Sequence, residues 1–424
     1  MSRPVDNHLR PDAAQVPRLL ALVGGSGLDA HFSRWGPVPG GGRALIAEVE
    51  RSGLRGRGGA AFPTAVKMRS VLGRRQAVVV ANGAEREPVS AKDKAVLTYA
   101  PHLVLDGVSM AAEAVGASEA VVCIDRSATE ALSAVSRALT ERSRAGADVV
   151  PIRIETTPSA YVTGEESALV HWLNGGPAKP TFVPPRPFEK GVRGRPTLVN
   201  NVETLAHLAL VGRFGADWFR AVGCDAEPGT TLVTVNGAVT RPGVVEVPRG
   251  ASLGSVVDRA APAGPPQAVL VGGYSGTWVP YQPAAGVGLD SVSLGRLQAS
   301  LGCASLTVLG PDSCGLAETA VAVRWMAAQS AGQCGPCVHG LPALADAFAG
   351  VVSGDRRGSA LRRVNQLLPV ITGRGACHHP DGVTRMVRSA MTVFASDIDN
   401  HRRQGPCRVR HGLLPAAPGA PSWR

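Results

Sequence analysis

Apolar and polar positions in this chain follow two rhythms, and the change of rhythm marks out its parts. The stretch RALIAEVERSG, residues 43–53, spaces its apolar side chains at helical intervals and stops at a glycine. That predicts one amphipathic helix ending at Gly53. QAVVVANGAE is an apolar run leading into turn residues, so it reads as a buried strand entering a loop. A long helical region runs from about Ser90 to Gly116, and EAVVCID, Glu119 to Asp125, is a second buried strand. ATEALSAVSRALTERSRA predicts a further helix and DVVPIRIET a third strand. Strands alternating with helices predict a parallel sheet covered on both faces. Cys123, inside the second strand, is expected to be inert core.

The texture changes near Thr230. TLVTVNGAVTRPGVVEVPRGASLGSVVDRA alternates as strands do, with a hairpin at NGAVTRPG and a short helix after it. Closed by AVLVGGYSGTWVP, this segment predicts a small β-grasp domain. Beyond Leu316 four helical segments follow, which predicts a helical bundle. The first forty or so residues read as peripheral, and the last twenty, with PAAPGAP, as a loose tail.

Composition narrows the function classes only modestly. The chain has 424 residues, enough for two or three cores. Its net charge of +11 rests mostly on arginine. The arginines are scattered among acids without interleaved aromatics, so a surface for an acidic protein partner is preferred to nucleic acid. Eight cysteines in so long a chain do not make a secreted disulfide framework. No run of about eighteen apolar residues is present, and the first residues make a poor export signal. The expectation is a cytoplasmic protein without membrane insertion.

Four loops carry candidate chemistry. In SGLRGRGGAAFPTAVK, Gly56, Gly58 and Gly59 would let backbone approach a phosphate, and Lys67 would add a point charge. A helix precedes this loop, so the dinucleotide fingerprint, which needs a strand there, does not apply. ANGAEREPVSAKDK sets Asn82, Glu85 and Glu87 at the carboxyl end of a parallel strand, where ligands of open sheets bind. An amide with carboxylates suits a ribityl or ribose hydroxyl chain. TTPSAYVTGEESALVHW adds Gly164, Glu165 and Glu166 at a helix start, and GRPTLVNNVETLAHL adds Asn200 and Asn201. Each alone reads equally well as a turn or a helix cap.

Taken together, GLRGRGGAAFPTAVK, NGAEREPVSAKDK, SAYVTGEESAL and PTLVNNVETL resemble the NADH-binding flavoprotein component of respiratory complex I, an NADH-quinone oxidoreductase. The similarity runs from about Ala44 to Ser396. It implies an α/β FMN-binding domain with a parallel sheet, a soluble-ligand-binding β-grasp domain and a helical iron–sulfur bundle. The corresponding division is an extension at 1–43, the FMN/NAD domain at 44–220, the β-grasp domain at 221–305, the bundle at 306–400 and a tail at 401–424. FMN contacts carried over by position are Gly56, Gly58, Lys67, Asn82, Glu85, Gly164, Glu165, Glu166, Asn200 and Asn201. The nicotinamide side would involve Gly59, Phe62, Tyr161 and Glu87, the last as the catalytic residue. The implied function is electron transfer from NAD(P)H through FMN and an iron–sulfur cluster to a protein acceptor, ferredoxin-like or a complex I-type subunit. The rival is a non-catalytic scaffold or ligand-binding paralogue.

Three places depart from the family pattern. Ala84 replaces an acidic residue, which removes one acceptor worth about 1–2 kcal/mol. In KPTFVPPRPFEKG, Val183 and Arg186 are read at the place of the family's adenine-stacking phenylalanine. The family's S-C-G-x-C-x-x-C motif appears as Ser330-Ala331-Gly332-Gln333-Cys334-Gly335-Pro336-Cys337, with Cys377 forty residues further on. Cys334, Cys337 and Cys377 would hold a [4Fe–4S] cluster with a non-cysteine ligand, or a [3Fe–4S] cluster. Zinc with His378 or His379, and a site without metal, remain alternatives. His378 is the first candidate for a fourth ligand and Cys314 a more distant one. Cys224, Cys303 and Cys407 are expected to be structural, and His171 and His207 to be packed or surface histidines.

Overall fold

The computed structural model describes residues 16–22, 27–74, 76–407, 412–415 and 421–424. The first sheet is built from β1 (Ala77–Gly83), β2 (Ala117–Asp125), β3 (Ile152–Thr157) and β4 (Thr197–Asn201), all parallel in the order β3-β2-β1-β4. Alternation along β1 explains its continuous apolar run. Ala77, Val79 and Ala81 face one apolar cluster, while Val78 and Val80 face another with Val121, Cys123 and Val199. Cys123 is fully buried, and burial pushes its thiol well above the ordinary range.

Helices cover both faces. After the short α1 (Leu28–Trp35), α2 (Ala44–Ser52) ends as expected on Gly53, whose backbone is left-handed. Then come α3 (Thr64–Val71), α4 (Lys92–Tyr99), α5 (Pro101–Val115), α6 (Thr129–Ala145), α7 (Glu166–Leu173) and α8 (Val202–Arg220). The expected helical region after Ser90 is made of two helices, α4 and α5, meeting at 94°. Pro101 at the start of α5 cannot continue the helix before it. Among the described residues no single helix is long and apolar enough to cross a membrane. The bent pair α4–α5 has the composition, but the apolar side chains of α5 are buried in the core.

A small hairpin, β5 (Gly223–Cys224) with β6 (Glu227–Pro228), leads to a five-stranded mixed sheet. Its strands β7 (Thr230–Gly237), β8 (Gly243–Pro248), β9 (Ala268–Val271), β10 (Thr277–Pro280) and β11 (Ser305–Leu309) lie in the order β10-β9-β11-β7-β8. Only β11 and β7 run parallel, and α9 (Leu253–Arg259) packs on the sheet. The short α10 (Tyr281–Ala284) and α11 (Ser291–Gly295) lie before β11. A third apolar core joins α12 (Gly315–Ala328), α13 (Leu341–Val352), α14 (Ser359–Ile371), α15 (His379–Val393) and α16 (Ala395–Gln404).

Among the described residues near both ends, several are tightly held. Glu246 of β8 accepts the backbone N–H groups of Arg18, Leu19 and Leu20 at 2.8, 2.8 and 3.1 Å. The Arg18 guanidinium donates to the Trp218 and Phe219 carbonyls and lies 3.9 Å over the Trp218 ring. His31 of α1 bonds the buried Asp106 at 2.6 Å, alongside Arg142 and Arg213. At the other end Glu318 accepts from Gly412 and Leu414, and Leu414 is 1% exposed. These segments are not loose, because buried carboxylates take up their N–H groups.

Candidate functional site

The glycine loop folds back between α2 and α3, with the Gly56 N–H bonded to the Phe62 carbonyl at 2.9 Å. It lies over the end of β4, so a side chain at Gly58 would sit 3.3 Å from the Asn201 Cβ. Gly59, with φ +100°, faces Gly302 from the second sheet's domain. Phe62 is half exposed at the loop's end. Lys67 donates to the Val199 carbonyl at 2.9 Å and to Glu166 at 3.2 Å. Asn82 donates to the Gly164 carbonyl at 2.9 Å, and a Cβ on Gly164 would fall 2.8 Å from the Ala84 carbonyl. Loop after loop is therefore pinned to the carboxyl edge of the sheet before any ligand arrives.

Some expected contacts serve the fold instead. Glu165 caps α7 through the N–H groups of Ser167 and Ala168. Glu85 is buried and accepts from Ser90 and from the Asp93 and Lys94 N–H groups, so it caps the start of α4. Asn201 caps α8 and donates to Asp93 at 2.8 Å. Asn200 differs: it is buried, and its Nδ2 has no partner among the described residues. An orphaned buried donor costs about 1–3 kcal/mol, so this amide fits an acceptor brought by a bound group such as the flavin.

Glu87 and Tyr161 meet where three parts of the chain converge. The Tyr161 hydroxyl donates to Glu87 at 3.0 Å and lies 3.0 Å from the Ser275 hydroxyl. The Tyr274 N–H also reaches Glu87, at 3.2 Å. Burial raises the Glu87 carboxyl to about 7, outweighing these hydrogen bonds. The other end of Tyr161 looks toward the helices: its N–H meets Gln329 at 3.3 Å, and its ring stands edge-on to Trp325 and His379.

The loop from 179 offers an aromatic ring close to the expected position. In Lys179-Pro180-Thr181-Phe182 the fourth place is already phenylalanine, and Phe182 is 89% exposed. Counting from the later Pro184-Pro185 pair moves that place to Val183 and Arg186. The usable signal is the spacing from Lys179.

Of the three cysteines expected to share a centre, Cys334 and Cys377 both lie near enough to Cys337 to act on its thiol. Cys337 follows Cys334 through a tight turn, with its N–H bonded to the Cys334 carbonyl at 3.1 Å. Burial, then the neighbouring Cys334 and Cys377, push the Cys337 thiol to about 12. Burial also raises the Cys377 thiol, with Glu165 near enough to add to the effect. Among the described residues, no donor trio including these thiols lies within 4.8 Å, the spacing that one ion demands. Ala331 is buried, and its carbonyl accepts from Lys179 at 2.9 Å.

The histidines sort differently from expectation. His378 is fully exposed and faces Asp381 at 3.4 Å, turned to solvent rather than to the thiols. His379 is buried against the Met326 carbonyl, and burial lowers its ring to about 4. His207 is packed as expected, fully buried near Glu203. Cys314 and Cys407 belong to another group, within reach of His401.

Comparison with known proteins agrees with this geometry. Residues 49–210 match the Nuo51 FMN-binding domain, and residues 317–401 match the NADH-ubiquinone oxidoreductase-F iron–sulfur binding region. The chain is 31% identical to the second F-type component of NADH-quinone oxidoreductase in Rhizobium meliloti (strain 1021), covering 86% of this chain and 90% of that one. It is 30% identical to NADP-reducing hydrogenase subunit HndC of Solidesulfovibrio fructosivorans, over 87% and 79% of the two chains. The crystal structure of NAD+-reducing [NiFe]-hydrogenase in the H2-reduced state superposes with a TM-score of 0.78 at 33% identity. That match covers 88% of this chain and 64% of the hydrogenase chain, so this chain spans under two thirds of its length. The chain belongs to the F-type family of NADH-quinone oxidoreductase components, the NADH-oxidising electron-transfer proteins that carry FMN and a [4Fe–4S] cluster.

Proposed function

We propose that this chain takes electrons from NADH and delivers them to a protein acceptor, with FMN at the carboxyl edge of the parallel sheet and an iron–sulfur cluster on Cys334, Cys337 and Cys377. FMN, when bound, supplies the exchange between two-electron and one-electron chemistry. Gly58 and Gly59 allow close backbone approach, Lys67 offers charge to the phosphate, and Asn200 offers its free amide. Asn82, Gly164, Glu166 and Asn201 shape the rest of the cradle, and Glu85 and Glu165 hold its helices in place. Gly56 and Phe62 set the loop's curve, and the exposed Phe182 ring is the stacking surface for adenine. Glu87, held by Tyr161 and Tyr274, orients the nicotinamide side and carries a proton that leaves near pH 7. The five-stranded sheet with α9 is read as a β-grasp domain that steadies the cradle from behind. The terminal helices are read as the cluster-bearing bundle, with the domain limits expected from the pattern of the chain. The acceptor is an iron–sulfur or complex I-type subunit, and the setting is the cytoplasm.

The observation that carries this reading is Tyr161. One side chain bonds Glu87 at its hydroxyl and packs on His379 and Trp325 at its ring, so the two candidate centres adjoin. The test is anaerobic mixing with NADH, then NADPH, while flavin absorbance is followed. Rapid bleaching by NADH with subsequent reduction of an added one-electron acceptor is expected. A colourless, folded protein would overturn the proposal.

A further inference from the structure

We propose that Cys314, His401 and Cys407 form a zinc site, separate from the Cys334–Cys337–Cys377 centre, that fastens the end of α16 to the helical core. The ligand atoms of all three residues lie within 4.8 Å of one another. His401 Nε2 is 3.1 Å from the Cys407 Sγ and 3.7 Å from the Cys314 Sγ. Cys314 and His401 are buried, and Cys407 is partly covered.

The surroundings prepare each donor. His401 Nδ1 lies 2.8 Å from the Val352 carbonyl, which can only accept, so Nδ1 carries the proton. The Cys407 N–H, which can only donate, points at Nε2 from 3.3 Å. Both neighbours select the tautomer whose Nε2 lone pair faces the sulfurs, the arrangement that metal-bound histidines have. Burial pushes the Cys314 thiol up to about 12, so without a cation it keeps its proton. The Ala317 and Leu316 N–H groups at the start of α12 act in the opposite direction and favour the thiolate once a metal is bound.

Charge and softness choose the ion. Two thiolates and a neutral imidazole around Zn2+ sum to zero, which a buried site tolerates. Sulfur and imidazole donors suit zinc and exclude magnesium or calcium. On binding, two sulfur–zinc bonds and one bond from His401 Nε2 to zinc form, the two thiol protons leave to solvent, and no electron moves. Three protein donors leave one tetrahedral position for a further ligand. The site ties the start of α12 to residue 407, about 90 positions later, and so closes the helical core on itself.

Metal analysis of the full chain tests this directly. About one zinc per chain is expected beside the iron. H401A and C407S should each lower zinc by at least tenfold and leave iron and flavin content unchanged. C337S should do the reverse, losing iron while zinc stays, so the site can fail independently of the proposed electron route. Cobalt added to the zinc-stripped wild type should give the intense visible bands of a tetrahedral thiolate complex, whether or not the variants fold. Purified protein without zinc that also takes up no cobalt would overturn the site. So would variants that keep their zinc.

Discussion

The flavin-side cradle and the thiol centre are built on opposite plans. At the cradle the polar groups hold one another: Lys67 holds Glu166, Asn82 holds the Gly164 carbonyl, and Asn201 holds Asp93. At the thiol centre Cys334, Cys337 and Cys377 converge, and the position three before Cys334 is a methyl group. A cradle assembled in advance loses little when one member such as Ala84 drifts, because the others keep their places. A centre whose donors meet chiefly through the inorganic group depends on every donor.

The sharpest way to break this contrast is Cys337→Ser. Iron content should fall at least tenfold with loss of acceptor reduction, while flavin remains bound, as read by visible absorbance and iron assay. Full activity in that variant would remove the proposed route. Gly164→Ala attacks the other side. Its Cβ would press on the Ala84 carbonyl, costing about 1–3 kcal/mol. Melting temperature and FMN affinity should fall together, with iron content unchanged. Ala331→Cys supplies the absent thiolate, so the iron retained through air exposure should rise and the cluster's paramagnetic resonance signature should change.

A further test concerns pH. Glu87 is raised to about 7, so the folded chain holds its proton where the unfolded chain has lost it. Stability from this group therefore falls as pH rises from about 4.5 to 7, at about 1.4 kcal/mol per unit. Glu87→Gln should flatten that part of the stability profile and remove the matching inflection in flavin bleaching by NADH. A wild-type profile already flat across this window would contradict the assignment.

What the sequence disclosed was what lies close along the chain. The strands of the parallel sheet, the stop at Gly53 and the hairpin between β7 and β8 follow from local pattern and turn residues. The Cys334–Cys337 spacing is local too, whereas Cys377 is joined to it only through the family resemblance. Hidden are relations made only by tertiary closure. Nothing near Arg18 announces Glu246, and nothing near Cys314 announces His401. Glu85 reads as a ligand contact because a carboxylate after a strand looks alike whether it caps a helix or meets a ribityl chain. Phe182 is obscured by a repeated proline register.

One small contact ties substrate handling to metal handling. The Lys179 ammonium bonds the Ala331 carbonyl and lies 4.8 Å from the Trp423 ring, while its backbone begins the segment that carries Phe182. Any displacement of that segment tugs on the peptide beside the absent fourth ligand. On the proposed function, the segment that carries Phe182 and the loop that opens the thiol motif are joined at this one ammonium.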